Sequence, residues 1–498
     1  MSAGGQPYSR TIILIADGAG EAATDDGQKV DSMRPPLMRI DRSQRLPASH
    51  NQEERIRAGA GTHVQNNIVP LGLRLRGRVQ ADTVCLAIER LVARHEALRL
   101  TFAVDGEGSR LNVANAPAFG FTVRSVERFA PTDRLTAGLA LLATDASDPF
   151  DIVTGPLLRT IIVRMSDVEH LVGLTIDHML IDGRSCEIVL RDLFAILREI
   201  QEGVPDDLPE LPLQFPDWTV WERRYLQGPA RQRLAAYWRS ALAGTTALPA
   251  SGLEDPEATA SEDDGPAGVT TKRITVNGDL WTRLSTVARD QRASPFTLLS
   301  AVLKAAVYRR RRRRQPDDLA ADVTVFGALT NRTSRVLDDV VGYFATSAVL
   351  RTDLSRDPTF EELIRREGRI LFAAIAHEEL PHPLVAMEVS PDLYGIRYRP
   401  RAVIPQYLNF DMPQSRPSAQ FSCDSFRADI VKVPVVELPR SGLRLIAHPL
   451  HDGVQIEARY RTDHFTGSWV KSFLIAYQRL LDGWTAAPAV RLSQVAPE

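Results

Sequence analysis

The stretch from His170 to Ile200 limits the fold more than any other part of the chain. Residues 170–176 form an apolar, strand-like run, and residues 185–200 carry Val189, Leu193, Ile196, Leu197 and Ile200 as one apolar stripe at helical spacing. Between them lies only the segment Asp177-His178-Met179-Leu180-Ile181-Asp182-Gly183 and Arg184. The order is strand, short loop, helix, and it points to helices layered on sheets.

The same mixture runs along the whole chain. Helical periodicity marks residues 81–98, 294–308, 360–376 and 469–481, and strand-like runs mark 157–163 and 322–328. Residues 441–460 read as paired strands around Asp452-Gly453. With 498 residues the chain exceeds the ~250 to 300 at which single cores stop growing, so two lobes are expected. The proline-rich stretch 203–217 and the Ala-, Ser-, Asp- and Gly-rich stretch 245–272 break the pattern. They suggest an extension over residues 1–40, a first lobe over 41–228 and a second over 229–498. The extension reads either as a docking tail or as a disordered leader.

A formal net charge of −2 provides no broad basic field, so neither nucleic acid nor an anionic membrane is an expected partner. The apolar run 12–16 is too short to span a bilayer, and the acidic stretch after it does not read as a signal-peptide cleavage region. Cys85, Cys186 and Cys423 form no CxxC pair, which argues against a disulfide framework or a zinc site and fits buried packing residues in a reducing cytoplasm.

His178 is placed at a strand end, where its imidazole can reach a ligand. With an ordinary pKa near ~6.5 it would accept a proton from an attacking amine or hydroxyl at cellular pH. Ser185 is read as the N-cap of the following helix, whose first-turn amides can favour developing negative charge. Gly183 lets backbone approach a ligand. Asp177, next to His178 on a strand, points to the opposite face and forms no triad with it. Asp177, His178 and Asp182 lack metal-ligand spacing, so no metal is expected.

This loop resembles the hallmark His-His-x-x-x-Asp-Gly motif of the condensation domains of nonribosomal peptide synthetases. Five further segments match in order. Ser49-His50-Asn51-Gln52-Glu53-Glu54-Arg55 is similar to the family's opening motif, and Arg94-His95-Glu96-Ala97-Leu98-Arg99 to its second. Phe215 to Arg223 fits the aromatic segment after the site helix, with Tyr237-Trp238 following. Asn331-Arg332 and Val341-Gly342-Tyr343-Phe344-Ala345-Thr346-Ser347 resemble the family's Asn-Arg and Gly-x-Phe-x-Asn-Thr pair, and His377 to Pro381 its His-x-x-x-Pro segment. Asp177 stands where the family has its first histidine, and Thr346-Ser347 where it has Asn-Thr.

The resemblance implies an α/β fold of two chloramphenicol-acetyltransferase-like lobes, arranged as a V-shaped pseudo-dimer with a tunnel between them. It implies an acyltransferase that joins an acyl thioester, held on the phosphopantetheine arm of an acyl- or peptidyl-carrier protein, to an amine or alcohol. The acceptor is either a soluble small molecule or sits on a second carrier protein. His178 would position or deprotonate the acceptor, and the Gly183 amide would hold the oxyanion. Asp182 would pair with Arg332 to shape the loop, with Asp177 as a supporting residue. No adenylation, thioesterase or carrier motif is recognisable, so a freestanding protein acting in trans, fit for chain release, is expected. Two alternatives stay open: a non-catalytic module of the same fold that recruits a carrier or tailoring enzyme, and an acyltransferase using free acyl-coenzyme A.

The six arginines Arg309 to Arg314 read either as a patch for an acidic carrier or as a solvated helix end favoured by the dipole. Trp218, Trp221, Tyr237 and Trp238 read as packing residues rather than a base-stacking platform.

Overall fold

The computed structural model describes residues 34–59, 68–106, 108–116, 119–245, 268–314, 322–389, 404–411, 420–435, 441–487 and 489–494. Two six-stranded sheets form its frame. In the first, the order is Gln420–Ser422, Phe426–Val431, Ile68–Gly77, Glu169–Asp177, Leu158–Ser166 and Gly120–Ser125. In the second, it is Thr346–Asp353, Asp322–Leu329, Ile404–Asp411, Ser441–Leu450, Gly453–Arg461 and Val269–Asn277. Strands from the last fifth of the chain thus complete the first sheet: Phe426–Val431 pairs antiparallel with Ile68–Gly77.

Strand Glu169–Asp177 is central because its side chains demand it. Every residue from His170 to Asp177 is buried, and both edges are paired, to Ile68–Gly77 on one side and Leu158–Ser166 on the other. A short loop leads to helix Gly183–Glu202, whose apolar stripe packs against helix Ala81–Arg94. Gly203 ends that helix at φ 70°, a left-handed cap that favours glycine.

One apolar core lies on the first sheet and continues across the junction, joining Leu180, Phe215 and Trp218 to Val340, Phe344 and Leu380. Phe344 is the bridge, 5.0 Å from the Phe215 ring and 4.8 Å from Trp218. A second core fills the far side, around Leu299, Val302, Leu445, Tyr477 and Trp484. Within it, Lys304 and Glu367 form a fully buried pair at 2.7 Å, with Thr352 and Ser300 supplying further hydrogen bonds. Partners of this kind are what make two buried charges tolerable.

Three expectations need correction. The arginine run is a solvated helix end only in part: it closes helix Pro295–Arg314 with Arg312 and Arg313 exposed, but Arg311 is wholly buried and donates to the Asp322 carbonyl at 2.8 Å, and Arg310 stacks on Trp469. Long guanidinium stems bury well where carbonyls and aromatic faces meet them. The three cysteines are free thiols, yet only half-buried. Residues 34–40, read as part of an extension, lie on the main body: Arg34 pairs with Glu379 and stacks on Trp221, whose indole donates to the Pro35 carbonyl. Residues 1–33, and 246–267 of the expected exposed loop, lie outside the described residues.

The junction leaves no room at Gly342, where a Cβ would stand 2.1 Å from Cδ2 of Phe215. Overpacking of this kind costs roughly 1–3 kcal/mol. Gly342→Ala should therefore lower the unfolding free energy by that amount, read as a lower urea midpoint at unchanged m-value; an unaltered midpoint would show that the junction yields freely.

Candidate functional site

The site is built where strand Glu169–Asp177 ends. Asp177 turns the chain by accepting from the Met179 amide at 2.8 Å, and its own carbonyl accepts from Leu180 N at 3.0 Å. Gln52, on helix His50–Gly59, donates to the Met179 carbonyl at 2.8 Å, so the opening motif holds the loop from its other side. His178 is thereby presented between these two anchors.

Asp182 is the N-cap of the following helix. Its backbone is extended, and Oδ1 accepts from Ser185 N at 2.8 Å. Ser185, expected as the cap, sits inside the first turn instead, because a carboxylate three residues before its amide reaches that amide directly. The Ser185 hydroxyl is turned to the junction, donating to the Gly342 carbonyl at 2.8 Å and accepting from Gly342 N at 3.0 Å and Arg332 at 2.9 Å.

Asp182 also reaches across the junction. Oδ2 accepts from the Phe344 and Ala345 amides at 3.1 and 3.2 Å, and Arg332 Nη2 lies 3.4 Å from Oδ1. Arg332 is itself buried, donates to the Leu337 and Val340 carbonyls, and lies 4.2 Å over the Phe344 ring. Asp182, Arg332 and Ser185 form one cluster with the backbone of 342–345.

His178 is half-buried, with Nδ1 sealed and without a hydrogen-bond partner among the described residues. Its ring meets the edge of Tyr343 at 5.3 Å. Arg55 Nε donates to the Tyr343 hydroxyl at 3.0 Å, and its guanidinium lies 4.8 Å over the same ring. Desolvation, then the Arg55 charge, hold the His178 pKa down at about 3. The imidazole is therefore neutral at cellular pH but a far weaker base than an ordinary histidine, which corrects the expectation of a value near ~6.5.

Gly183 is the first residue of the helix, exposed, with nothing within 4 Å of where a Cβ would stand. An amide at this position has no carbonyl within its own helix to bond. His377, from the His-x-x-x-Pro segment, stacks on Tyr237 at 3.7 Å and supports the aromatic layer. Arg55 and Tyr343 lie within the recognised motifs but carry no separate signal there, since their meeting depends on the fold. Among the described residues no group of His, Cys, Asp and Glu side chains could hold a metal ion, and no helix is long and apolar enough to cross a membrane.

The two sheets with flanking helices, joined at an Asp-capped His-x-x-x-Asp-Gly loop, define an α/β protein of two chloramphenicol-acetyltransferase-like lobes. The chain belongs to the condensation-domain family, whose model matches residues 44–496. A component of the linear gramicidin synthase of Brevibacillus parabrevis is 28% identical over 71% of this chain, which spans only 4% of that protein. Phosphinothricin tripeptide synthetase PhsC of Streptomyces viridochromogenes is 29% identical over 63% of this chain, which spans 28% of that protein. Of solved structures, the X-domain from a complex of the X-domain and OxyB of teicoplanin biosynthesis aligns with a TM-score of 0.76 at 22% identity, covering 93% of this chain and 98% of the other.

Asp182→Ala strands Arg332 and releases four donors, so it should cost ~3 kcal/mol or more, the range for breaking a buried pair, in denaturant titration. A pH dependence is expected as well. The unfolded chain binds the His178 proton near ~pH 6.5, the folded chain only near pH 3, so stability falls as pH drops through that window. His178→Gln should flatten this part of the stability-versus-pH curve, measured by urea melts between pH 7 and 4; a curve of unchanged slope would refute the assignment.

Proposed function

We propose that this condensation domain is an acyltransferase. It joins an acyl chain, delivered as a thioester on the phosphopantetheine arm of a carrier protein, to an amine or alcohol acceptor. The bond formed is an amide or an ester, and the thiol of the arm is the leaving group. The setting that suits it is chain release in nonribosomal peptide or polyketide antibiotic biosynthesis, with the carrier supplied in trans in the cytoplasm. No cofactor takes part beyond the arm itself.

The observation that carries this reading is the loop held by Asp182, which brings His178 and the N-terminal amide of a helix to the junction on one short segment. Nδ1 of His178 is sealed, which leaves Nε2 as the nitrogen a substrate meets. A neutral, weakly basic imidazole is suited to accept a hydrogen bond from the acceptor N–H or O–H and aim its lone pair at the thioester carbon. As the tetrahedral centre forms, its oxygen gains charge, and the Gly183 amide with the helix dipole behind it opposes that charge. Asp182, Arg332 and Asp177 position these groups without touching the reacting atoms.

Recruitment is the second reading. Asp177 at the first motif position and the weak basicity of His178 favour it, and the X-domain relative was solved bound to OxyB.

The two readings separate in one assay with acyl-loaded carrier and an acceptor panel, read by intact-protein mass spectrometry. His178→Ala should abolish product. Gly183→Pro should keep the fold, since proline is well accepted at the first helical position, while removing the amide and lowering kcat ~10²–10³-fold. Unchanged turnover in His178→Ala would overturn the mechanism, and an inactive wild-type that binds carrier or tailoring enzyme would establish recruitment. Turnover with free acyl-coenzyme A and no carrier would replace the carrier by a soluble donor.

A further inference from the structure

Tyr343 is firmly held, yet only half of its hydroxyl is engaged. Its backbone is clamped from both sides, because Ser185 bonds both backbone groups of Gly342 and Asp182 accepts from the Phe344 amide. Its ring touches that of His178, with centroids 5.3 Å apart, and its oxygen accepts from Arg55 Nε at 3.0 Å. A phenol that accepts in this way still has its own hydrogen to donate. Tyr343 is half-buried, and among the described residues no acceptor meets that hydrogen. A preorganised donor is thus left over beside the imidazole.

Because the rings touch, the phenol oxygen stands at most one ring radius and one C–O bond further from the imidazole than the Tyr343 ring centre does. Two hydrogen bonds of ~3 Å with two covalent bonds between them bridge such a separation. That is the path from His178 through the acceptor nitrogen or oxygen, the thioester carbon and its oxygen to the phenol. Only the carbonyl oxygen on this path can take the phenol's hydrogen bond, since the attacking atom commits its lone pair to the new bond and turns its hydrogen to His178. We propose that Tyr343 is a catalytic residue, an oxyanion donor acting beside the Gly183 amide. As the acceptor's lone pair bonds to the thioester carbon, the carbonyl π pair moves onto oxygen, and the phenol binds that oxygen without giving up its proton. When the pair returns, the C–S bond breaks, and the leaving sulfur takes the proton that His178 received from the acceptor. The Arg55 bond polarises the phenol and makes it a stronger donor, and nothing else is required of that arginine. This rests on the acyltransferase reading for the reaction, while the contact with a tetrahedral oxyanion requires no turnover.

The test uses the full chain and two matched probes, titrated by calorimetry. One is pantetheine carrying an S-methylphosphonothioate, a tetrahedral centre with an anionic oxygen; the other is S-acetyl-pantetheine, whose carbonyl is planar and neutral. The wild-type should bind the phosphonothioate at least ten-fold more tightly. Tyr343→Phe, which keeps the ring and removes the hydroxyl, should lose at least ten-fold in affinity for the phosphonothioate and stay within two-fold for the thioester. Arg55→Met, checked for wild-type melting, keeps the hydroxyl and should lose less. With a donor and acceptor pair that the wild-type turns over, Tyr343→Phe should lower kcat ~10²–10³-fold at unchanged KM. No preference for the phosphonothioate, a preference that survives Tyr343→Phe, or a larger loss in Arg55→Met overturns the inference. So does a Tyr343→Phe protein whose kcat stays within three-fold of wild-type. A wild-type that shows the Tyr343-dependent preference but turns over no pair upholds the hydroxyl contact and counts against acyl transfer instead.

Discussion

The carboxylate of Asp182 is the contact on which the rest of the structure depends. It caps the helix that follows it, and it accepts two backbone amides and a guanidinium from a segment more than a hundred residues away. A capping aspartate ordinarily stabilises one helix end by about 1 kcal/mol. Here the same group determines where residues 342–345 lie, and those residues bring Tyr343 to His178 and Phe344 to the aromatic layer of Phe215 and Trp218. The Ser185 hydroxyl duplicates the connection through both backbone groups of Gly342. Only a residue without a side chain fits there, with the Phe215 ring where a Cβ would be.

Burying this pair has an electrostatic consequence for His178. Desolvation and then the Arg55 charge disfavour an imidazolium, and Asp182, already committed to its donors, offsets them only in part. A base of that weakness cannot remove a proton from a neutral amine in a separate step before attack. In the proposed reaction its contribution would be geometric and late: it would hold the acceptor in line and share the proton only as the new bond makes that proton acidic. The two roles left open for this histidine by its motif are thus weighted by its surroundings, toward positioning.

Much of the fold was legible from periodicity, because the elements that carry it are amphipathic or wholly apolar. Helix Phe360–Ala376 begins and ends where its apolar stripe does, and the hairpin around Asp452-Gly453 is where its turn dipeptide places it. Strand Phe426–Val431 was not legible, since its partner Ile68–Gly77 lies some 350 positions earlier and no local pattern encodes that pairing, and the three-residue strand Gln420–Ser422 that pairs beside it is too short to show a period. The arginine run misled in part for a related reason: charge at a helix end suggests solvent, as holds for Arg312 and Arg313, and only the fold supplies the Asp322 carbonyl and the Trp469 face that accept Arg311 and Arg310. At the site, the motif showed that His178, Asp182 and Gly183 share a loop. It gave no hint that Arg55 stands beside them, because a single arginine in a polar helix has no periodic signature.

That the same residues hold the junction and shape the chemistry restricts how variants can be interpreted. Loss of Asp182 or Arg332 would move Tyr343, and with it Arg55, so a fall in activity there reports on architecture before it reports on mechanism. Gly183 and His178 are different. Nothing packs where a Gly183 side chain would stand, and His178 meets the far side of the junction through the edge of Tyr343 while its sealed nitrogen has no hydrogen-bond partner among the described residues. A protein that tolerates an unsatisfied buried nitrogen forgoes roughly 1–3 kcal/mol of stability. The same loop commits its other side-chain polar groups to structure, so the two positions left out of that hydrogen-bond network are where the proposed reaction would place its substrate.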